Sequence, residues 1–190
     1  MIQHRLGVFN LSEKELRPQG TTRKEMVHGS VYKTANESWI PTTTRNRDDY
    51  PSLVVEIGVL ESYERLKTDA RIWLDASDKR TRIVLLVVLD LEKLEIRIER
   101  WERAMVQRRI VTRSVTARMG GPARCIQRII LTRVGPGNVT VTGAPLVLPL
   151  ATIFDGDGIP PLSSDVDVDN ELSFSAQMLE QMAIRYFAAF

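Results

Sequence analysis

Cysteine is nearly absent from this 190-residue chain, with Cys125 its single example. A lone thiol cannot close an intrachain disulfide or build a thiolate zinc site, which excludes a cysteine-stapled scaffold and fits a reducing compartment. Long hydrophobic runs are missing too. No stretch approaches the roughly 20 apolar residues of a membrane-spanning helix, and Met1 to Asn10 has no apolar segment of the kind a secretory signal needs. The expectation is an intracellular protein, cytoplasmic or nuclear, with no membrane partner. In that setting the triplets at Asn10, Asn36 and Asn138 carry no glycan. An excess of one charge is also lacking, since 26 Lys+Arg against 24 Asp+Glu leave +2. A global pull on nucleic acid or an anionic membrane is thereby excluded, and any such attraction has to be local. What is present, 43% hydrophobic and 26% charged residues, is the profile of one soluble domain over 1–190 with a single sizeable core.

The first 30 residues are polar. Ser12-Glu-Lys-Glu15 has capping-box spacing and predicts a short helix that Pro18 and Gly20 stop. His4 and His28 stand alone there and form no triad with a nucleophile. A mixed run between Gly29 and Trp39 predicts a strand, and Pro41 to Asp49 a turn-rich connector. Leu53-Val-Val-Glu-Ile-Gly58 is aliphatic and β-branched, the pattern of a buried strand with one acid near its end. Ser62 to Leu74 places Tyr63, Leu66, Ala70 and Trp73 or Leu74 on one helical stripe, with Glu64, Arg65, Lys67 and Arg71 opposite. Arg82 to Leu89 reads as a central strand, parallel to the first across a right-handed helical crossover. Leu94 to Trp101 alternates strictly and predicts its half-exposed hairpin partner. Cys125 to Leu131 and Asn138 to Thr142 predict a further hairpin around Gly135-Pro-Gly137, and Leu172 to Phe190 an amphipathic helix with Leu172, Met178, Leu179, Met182 and Tyr186 inward. The fold class is α/β, a mixed central sheet flanked by helices with an added C-terminal hairpin and helix.

Glu56 is the residue that stands out chemically. A carboxylate inside an aliphatic strand has to be paired, protonated or bound to a cation, because uncompensated burial costs several kcal/mol. It either sits half-exposed in a structural ion pair or serves a site.

The block Pro51-Ser-Leu-Val-Val-Glu-Ile-Gly58, Glu61-Ser62, Leu66, Asp69-Ala70, Trp73-Leu74, Arg82-Ile-Val-Leu and Ile98-Glu-Arg-Trp101 resembles a group of fungal proteins with a restriction-endonuclease-like, PD-(D/E)XK type core. The resemblance covers about 29–101, leaving 102–190 as an extension, although Val141 to Leu150 is similar to a segment near the end of such proteins. It implies an Asp on one strand and Glu-x-Lys on the next, the acids holding Mg²⁺ and the Lys activating water. Glu56 matches the Glu; the Asp falls on Asn36 and the Lys on Gly58. An amide oxygen completes a coordination shell without adding charge. The substitutes in sequence are Asp49, or its neighbour Asp48, as a metal ligand swung in from the connector, and Lys67 as a catalytic lysine migrated to the helix. Glu37 points to the other face of its strand, and Asp69 caps the helix or pairs with Arg65 or Arg71. The implied protein is nuclease-like, with a degenerate Mg²⁺ site of Glu56, Asn36 and Asp49 and weak or no phosphodiester hydrolysis. The alternative is a non-catalytic nucleic-acid-binding or protein-assembly module on the same fold.

A second constellation is electrostatic. Between Arg100 and Arg133, nine arginines face only Glu102. They either track a phosphate backbone or pair, internally or in a homodimer, with the acidic C-terminal third that includes Asp155, Asp157, Asp165, Asp167, Asp169, Glu171 and Glu180. Asp155-Gly-Asp-Gly158 lacks the remaining ligands of a calcium loop and reads as a turn. Cys125, Trp39, Trp73 and Trp101 read as core residues.

Overall fold

The aliphatic run at Leu53 becomes an interior strand of a seven-stranded sheet in a computed structural model of the chain, which describes residues 14–21, 23–26, 31–104, 121–156, 159 and 170–189. In chain order the strands are β1 (Leu16–Pro18), β2 (Arg23–Glu25), β3 (Tyr32–Thr34), β4 (Glu37–Pro41), β5 (Leu53–Val59), β6 (Ile83–Asp90), β7 (Glu95–Arg103), β8 (Ala123–Gly135), β9 (Asn138–Thr142), β10 (Leu146–Pro149) and β11 (Glu171–Phe174). The helices are α1 (Tyr63–Ala76), α2 (Leu150–Ile153) and α3 (Ala176–Phe187). The sheet order is β1-β4-β5-β6-β7-β8-β9, and β2-β3 and β10-β11 form separate two-stranded ribbons. Only β5 and β6 run parallel, joined by α1; the other neighbours are antiparallel, so the sheet is mixed.

Side chains of a strand alternate between faces, and this splits each aliphatic strand between two cores. Val54, Val84, Leu86 and Val88 face α1, where they meet Leu66, Ala70, Trp73 and Leu74. Leu53, Val55, Ile83, Leu85, Ile96 and Ile98 face the other way, onto a layer built from β10, β11, α2 and α3. Trp73 is fully buried, which at about 25 cal/mol per Å² of apolar area stabilises the helix–sheet contact by roughly 4 kcal/mol. Among the described residues no helix is long and apolar enough to cross a membrane.

Three expectations change at the ends. Ser12 lies outside the described residues, and Lys14–Glu15 form a turn into β1 rather than a helix. Leu16 is fully buried and pairs with Pro41, so tertiary contact favours an edge strand there. The run from Gly29 to Trp39 holds two strands in different sheets, broken at Ala35–Asn36. The C-terminal helix starts later than its apolar pattern: Leu172 and Phe174 are alternate buried residues of β11, paired with Leu148 and Leu146. Ser175 then caps α3, its Oγ accepting from the Met178 amide at 3.3 Å. The buried stripe of α3 is Leu179, Ala183 and Phe187, with Met178, Met182 and Tyr186 only half-buried beside it.

A buried ion pair ties the connector before β5 to the end of α2. Arg45, its side chain fully buried, donates from Nε and Nη2 to the Asp155 carboxylate at 2.7 and 2.6 Å and from Nη1 to the Tyr50 carbonyl at 2.8 Å. Arg82 adds a bond to Asp155 at 3.1 Å. Asp155 is therefore an ion-pair partner in a turn. Burial pushes its carboxyl up, but the two guanidiniums outweigh burial and hold it below the usual 3.8. Its stabilising effect is present above pH 3.8 and is lost as the pH falls through the lower folded value. Asp155→Ala leaves a buried guanidinium without its counterion and should destabilise the fold by about 3–5 kcal/mol at neutral pH. Urea unfolding will read this, and a loss below about 1 kcal/mol would mean that the pair is energetically idle.

Candidate functional site

Glu56 follows Val54 along β5 and so points under α1, where only 5% of it stays exposed. The helix supplies its partner. Asp69 and Trp73 are four residues apart on α1 and share the stripe with Leu66 and Ala70. Trp73 Nε1 donates to Glu56 Oε1 at 2.6 Å. Lys33, from β3, pairs with Asp69 at 2.6 Å, and both side chains are about 15% exposed or less. Burial drives the Glu56 carboxyl above its usual 4.5; the Trp73 N–H and the Lys33 charge pull it down, and the Asp69 charge pushes it up again. Two acids, one lysine and one indole thus share a pocket between β5, β3 and α1.

Asn36 takes a place beside Glu56 but turns its oxygen elsewhere. Glu37 faces Val55 in the antiparallel register, so one residue further Asn36 falls opposite Glu56. Its Oδ1 accepts the Ile57 amide at 2.8 Å. β5 runs on past the start of β4, and the amide side chain supplies the acceptor that the missing ladder residue would have given. Glu37 faces away from α1, lining an apolar groove with Trp39, Val55 and Ile57 on the opposite face of the sheet.

Gly58, at the signature lysine position, has no room for a side chain. A β-carbon there would lie 2.7 Å from Ser62 Oγ and 3.0 Å from Leu66 Cδ1, because the first turn of α1 packs against it. Lys67 pairs with Glu64 at 2.5 Å and lies 4.7 Å from the centre of the Tyr63 ring, and it is not among the charges acting on Glu56. Asp49 accepts from the Asn46 amide at 2.9 Å and pairs with Arg80 at 3.3 Å, with no electrostatic effect on Glu56. The structure therefore brings Glu56 together with Lys33, Asp69 and Trp73, not with Lys67 or Asp49. The sequence offers Asp69 as a helix cap or a partner of Arg65 or Arg71; the structure pairs it with Lys33 instead, because only the fold carries β3 to that helix.

A second buried acid escaped the sequence reading. Glu99 is fully buried on the α1 face of β7. Its carboxylate accepts from Tyr63 Oη at 2.9 and 3.1 Å, from Trp101 Nε1 at 2.8 Å and from Arg128 Nε at 2.8 Å. The alternating pattern of β7 suggested a solvated polar face; that face instead lies beneath the start of α1. Cys125, facing Trp101 in the β7–β8 register, is half-buried, and burial pushes its thiol up with the Glu99 charge adding to it.

The arginine-rich stretch does not form one basic strip among its described members. Arg100 pairs with Glu102 and donates to the Val147 carbonyl, Arg103 pairs with Asp75, Arg128 with Glu99, and Arg133 donates to the Phe187 carbonyl. Strand alternation sends Arg100 and Arg128 to opposite faces of the sheet. The partner of Asp155 is likewise elsewhere, in Arg45 and Arg82. Arg108, Arg109, Arg113 and Arg118 lie outside the described residues, as do Asp157, Asp165, Asp167 and Asp169.

Compared with known proteins, the chain matches no protein-family model, no curated protein and no solved structure.

Two substitutions probe the pocket. Gly58→Ala forces Ser62 and Leu66 apart and should destabilise by about 1–3 kcal/mol, a fall of several degrees in Tm by calorimetry; an unchanged Tm would show that α1 is not seated against residue 58. Because folding raises the Glu56 value above 4.5, the native state binds that proton more tightly than the unfolded chain. Stability contributed at this site is therefore present below 4.5 and lost as the pH rises through the folded value. Glu56→Gln keeps an oxygen for Trp73 and removes the titration, so the variant should gain on the parent as the pH rises from 4.5 through the folded value. A difference in unfolding free energy that is flat with pH would rule out a raised Glu56.

Proposed function

We propose that the protein is a restriction-endonuclease-like module whose metal centre has become a structural acid pocket, with little or no phosphodiester hydrolysis. The observation that carries this reading is the engagement of each signature position by the protein itself. Glu56 holds the Trp73 indole, Asn36 holds the Ile57 amide, and the first turn of α1 occupies the space beside Gly58. A magnesium ion takes about six oxygens in near-octahedral geometry and gives up its water reluctantly. The pocket offers one carboxylate pushed toward its neutral form and a second already paired with Lys33. Among the described residues no group of three or more His, Cys, Asp or Glu could hold a metal ion. The residues present do not fit the ion, and no hydrolytic step is built on it.

What this chain's own residues do is hold structure. Trp73, Lys33 and Asp69 fix α1 and the β2-β3 ribbon around Glu56, and the product is a stable surface rather than a reaction centre. A non-catalytic module that binds nucleic acid or another protein on a nuclease-like scaffold is the same reading taken to its end.

The test is cleavage of supercoiled and single-stranded DNA and of RNA in millimolar Mg²⁺ or Mn²⁺, comparing the parent with Glu56→Gln and Asp69→Asn. The expected result is no divalent-dependent cleavage above the Glu56→Gln background, with Gly58→Lys failing to restore any. Cleavage by the parent that disappears in both acid variants would overturn the proposal, and would mean that Glu56, Asp69 and Lys33 make a working site.

A further inference from the structure

A second cleft opens at the edge strand β1, between it, β2 and the connector before β5. It has a volume of about 440 Å³ and is lined by Arg17, Pro18, Gln19, Lys24, Arg47 and Asp48. Three cations meet one carboxylate there, a formal +2 in a protein whose whole net charge is +2. The cations come from separate elements: Arg17 from β1, Lys24 from β2 and Arg47 from the connector before β5. Such convergence is not a by-product of one charged segment.

The three are placed differently. Lys24 is half-buried, and its Nζ donates to the Arg47 and Asp48 carbonyls at 3.4 and 3.2 Å, both neutral acceptors. Burial lowers its pKa, with the Asp48 and Asp49 charges only partly offsetting this, as for a cation that an incoming anion would relieve. Gln19 Nε2 donates to the Arg47 carbonyl at 2.6 Å and fixes the loop that presents the Arg47 side chain. Arg17 and Arg47 are exposed, and among the described residues neither guanidinium has a carboxylate partner. Elsewhere among the described residues the buried charges have direct carboxylate contacts: Arg45 and Arg82 share Asp155, Arg128 meets Glu99 and Lys33 meets Asp69. In this cleft three cations from separate elements meet with a single carboxylate among the lining residues.

We infer that the cleft is a phosphate-binding site, in which the Arg17 and Arg47 guanidiniums grip phosphate oxygens and Lys24 supplies the half-buried charge behind them. A guanidinium fork matches the tetrahedral oxygens of phosphate in two parallel hydrogen bonds, and two such forks with an ammonium suit a group of high negative charge. The volume exceeds that of a lone phosphate and falls in the range of small-molecule sites, so the group bears an attached sugar or chain. A phosphodiester of a polynucleotide and the phosphate of a free nucleotide share this chemistry. The inference goes beyond the reading of the Glu56 pocket and needs neither a metal nor cleavage.

Binding is measured in chelator at low salt, so that no divalent-dependent chemistry enters. The probes are a fluorescent 20-nucleotide single-stranded DNA, followed by anisotropy, and pyrophosphate and adenosine monophosphate, followed by calorimetry. Arg17→Gln, Arg47→Gln and Lys24→Gln are compared with Arg65→Gln, which removes one exposed charge from α1 outside the cleft. Each cleft variant should weaken binding about tenfold or more, with unchanged Tm for the two exposed arginines, while Arg65→Gln changes it by less than about threefold. Loss confined to the DNA assigns the site to polynucleotide phosphates; the same loss with pyrophosphate or the mononucleotide assigns it to free phosphorylated ligands. The proposal is overturned if none of the probes binds, or if Arg65→Gln weakens binding as much as the cleft variants do.

Discussion

A carboxylate trapped beneath a helix and cut off from water has to be met by donors, and α1 supplies them near both of its ends. Trp73 answers Glu56 and Tyr63 answers Glu99, with Trp101 and Arg128 completing the second set from the sheet. Each unmet acid would cost several kcal/mol, a large share of the 5–15 kcal/mol that separates a folded domain from its unfolded chain. The helix therefore cannot slide along β5 and β6 without stranding one acid or the other. Apolar packing holds α1 down, and the two hydrogen-bonded carboxylates fix its register.

The same constraint limits the chemistry. One oxygen of Glu56 accepts from an indole, and the Glu99 carboxylate accepts from phenol, indole and guanidinium groups of the protein. Asn36 follows the same rule at the strand edge, where its oxygen completes the hydrogen bonding of β5. Gly58 adds a steric version: its missing side chain is what allows the first turn of α1 to approach the strand. Glu56, Asn36 and Gly58 thus all contribute to the contact between helix and sheet.

Charge is arranged with comparable economy. Among the described arginines between Arg100 and Arg133, Arg100 and Arg128 are sent to opposite faces by the pleat of β7 and β8, and Arg100, Arg103, Arg128 and Arg133 have partners in the protein. At the opposite edge of the sheet Arg17, Lys24 and Arg47 converge from segments of no obvious basic character. Linear charge density is a poor guide to surface potential whenever the basic segment is a strand, because its period of two divides the charges between faces.

The amino-acid sequence by itself determined the central β5-α1-β6-β7 unit, the β8-β9 hairpin and the place of Glu56 as the one acid in an aliphatic strand, because periods of two and of 3.6 and the chemistry of turns are local properties of the chain. Tertiary structure decided which groups share a pocket: Lys33 reaches Asp69 and Glu56 only because the β2-β3 ribbon folds over α1, and Glu99 is dry only because Tyr63 lies above it. The extent of β11 and the course of β1 were decided in the same way, by partners more than twenty residues away. Alternation shows that a residue has a face, but whether that face meets water or another layer depends on the packing of distant segments, and no local pattern encodes it.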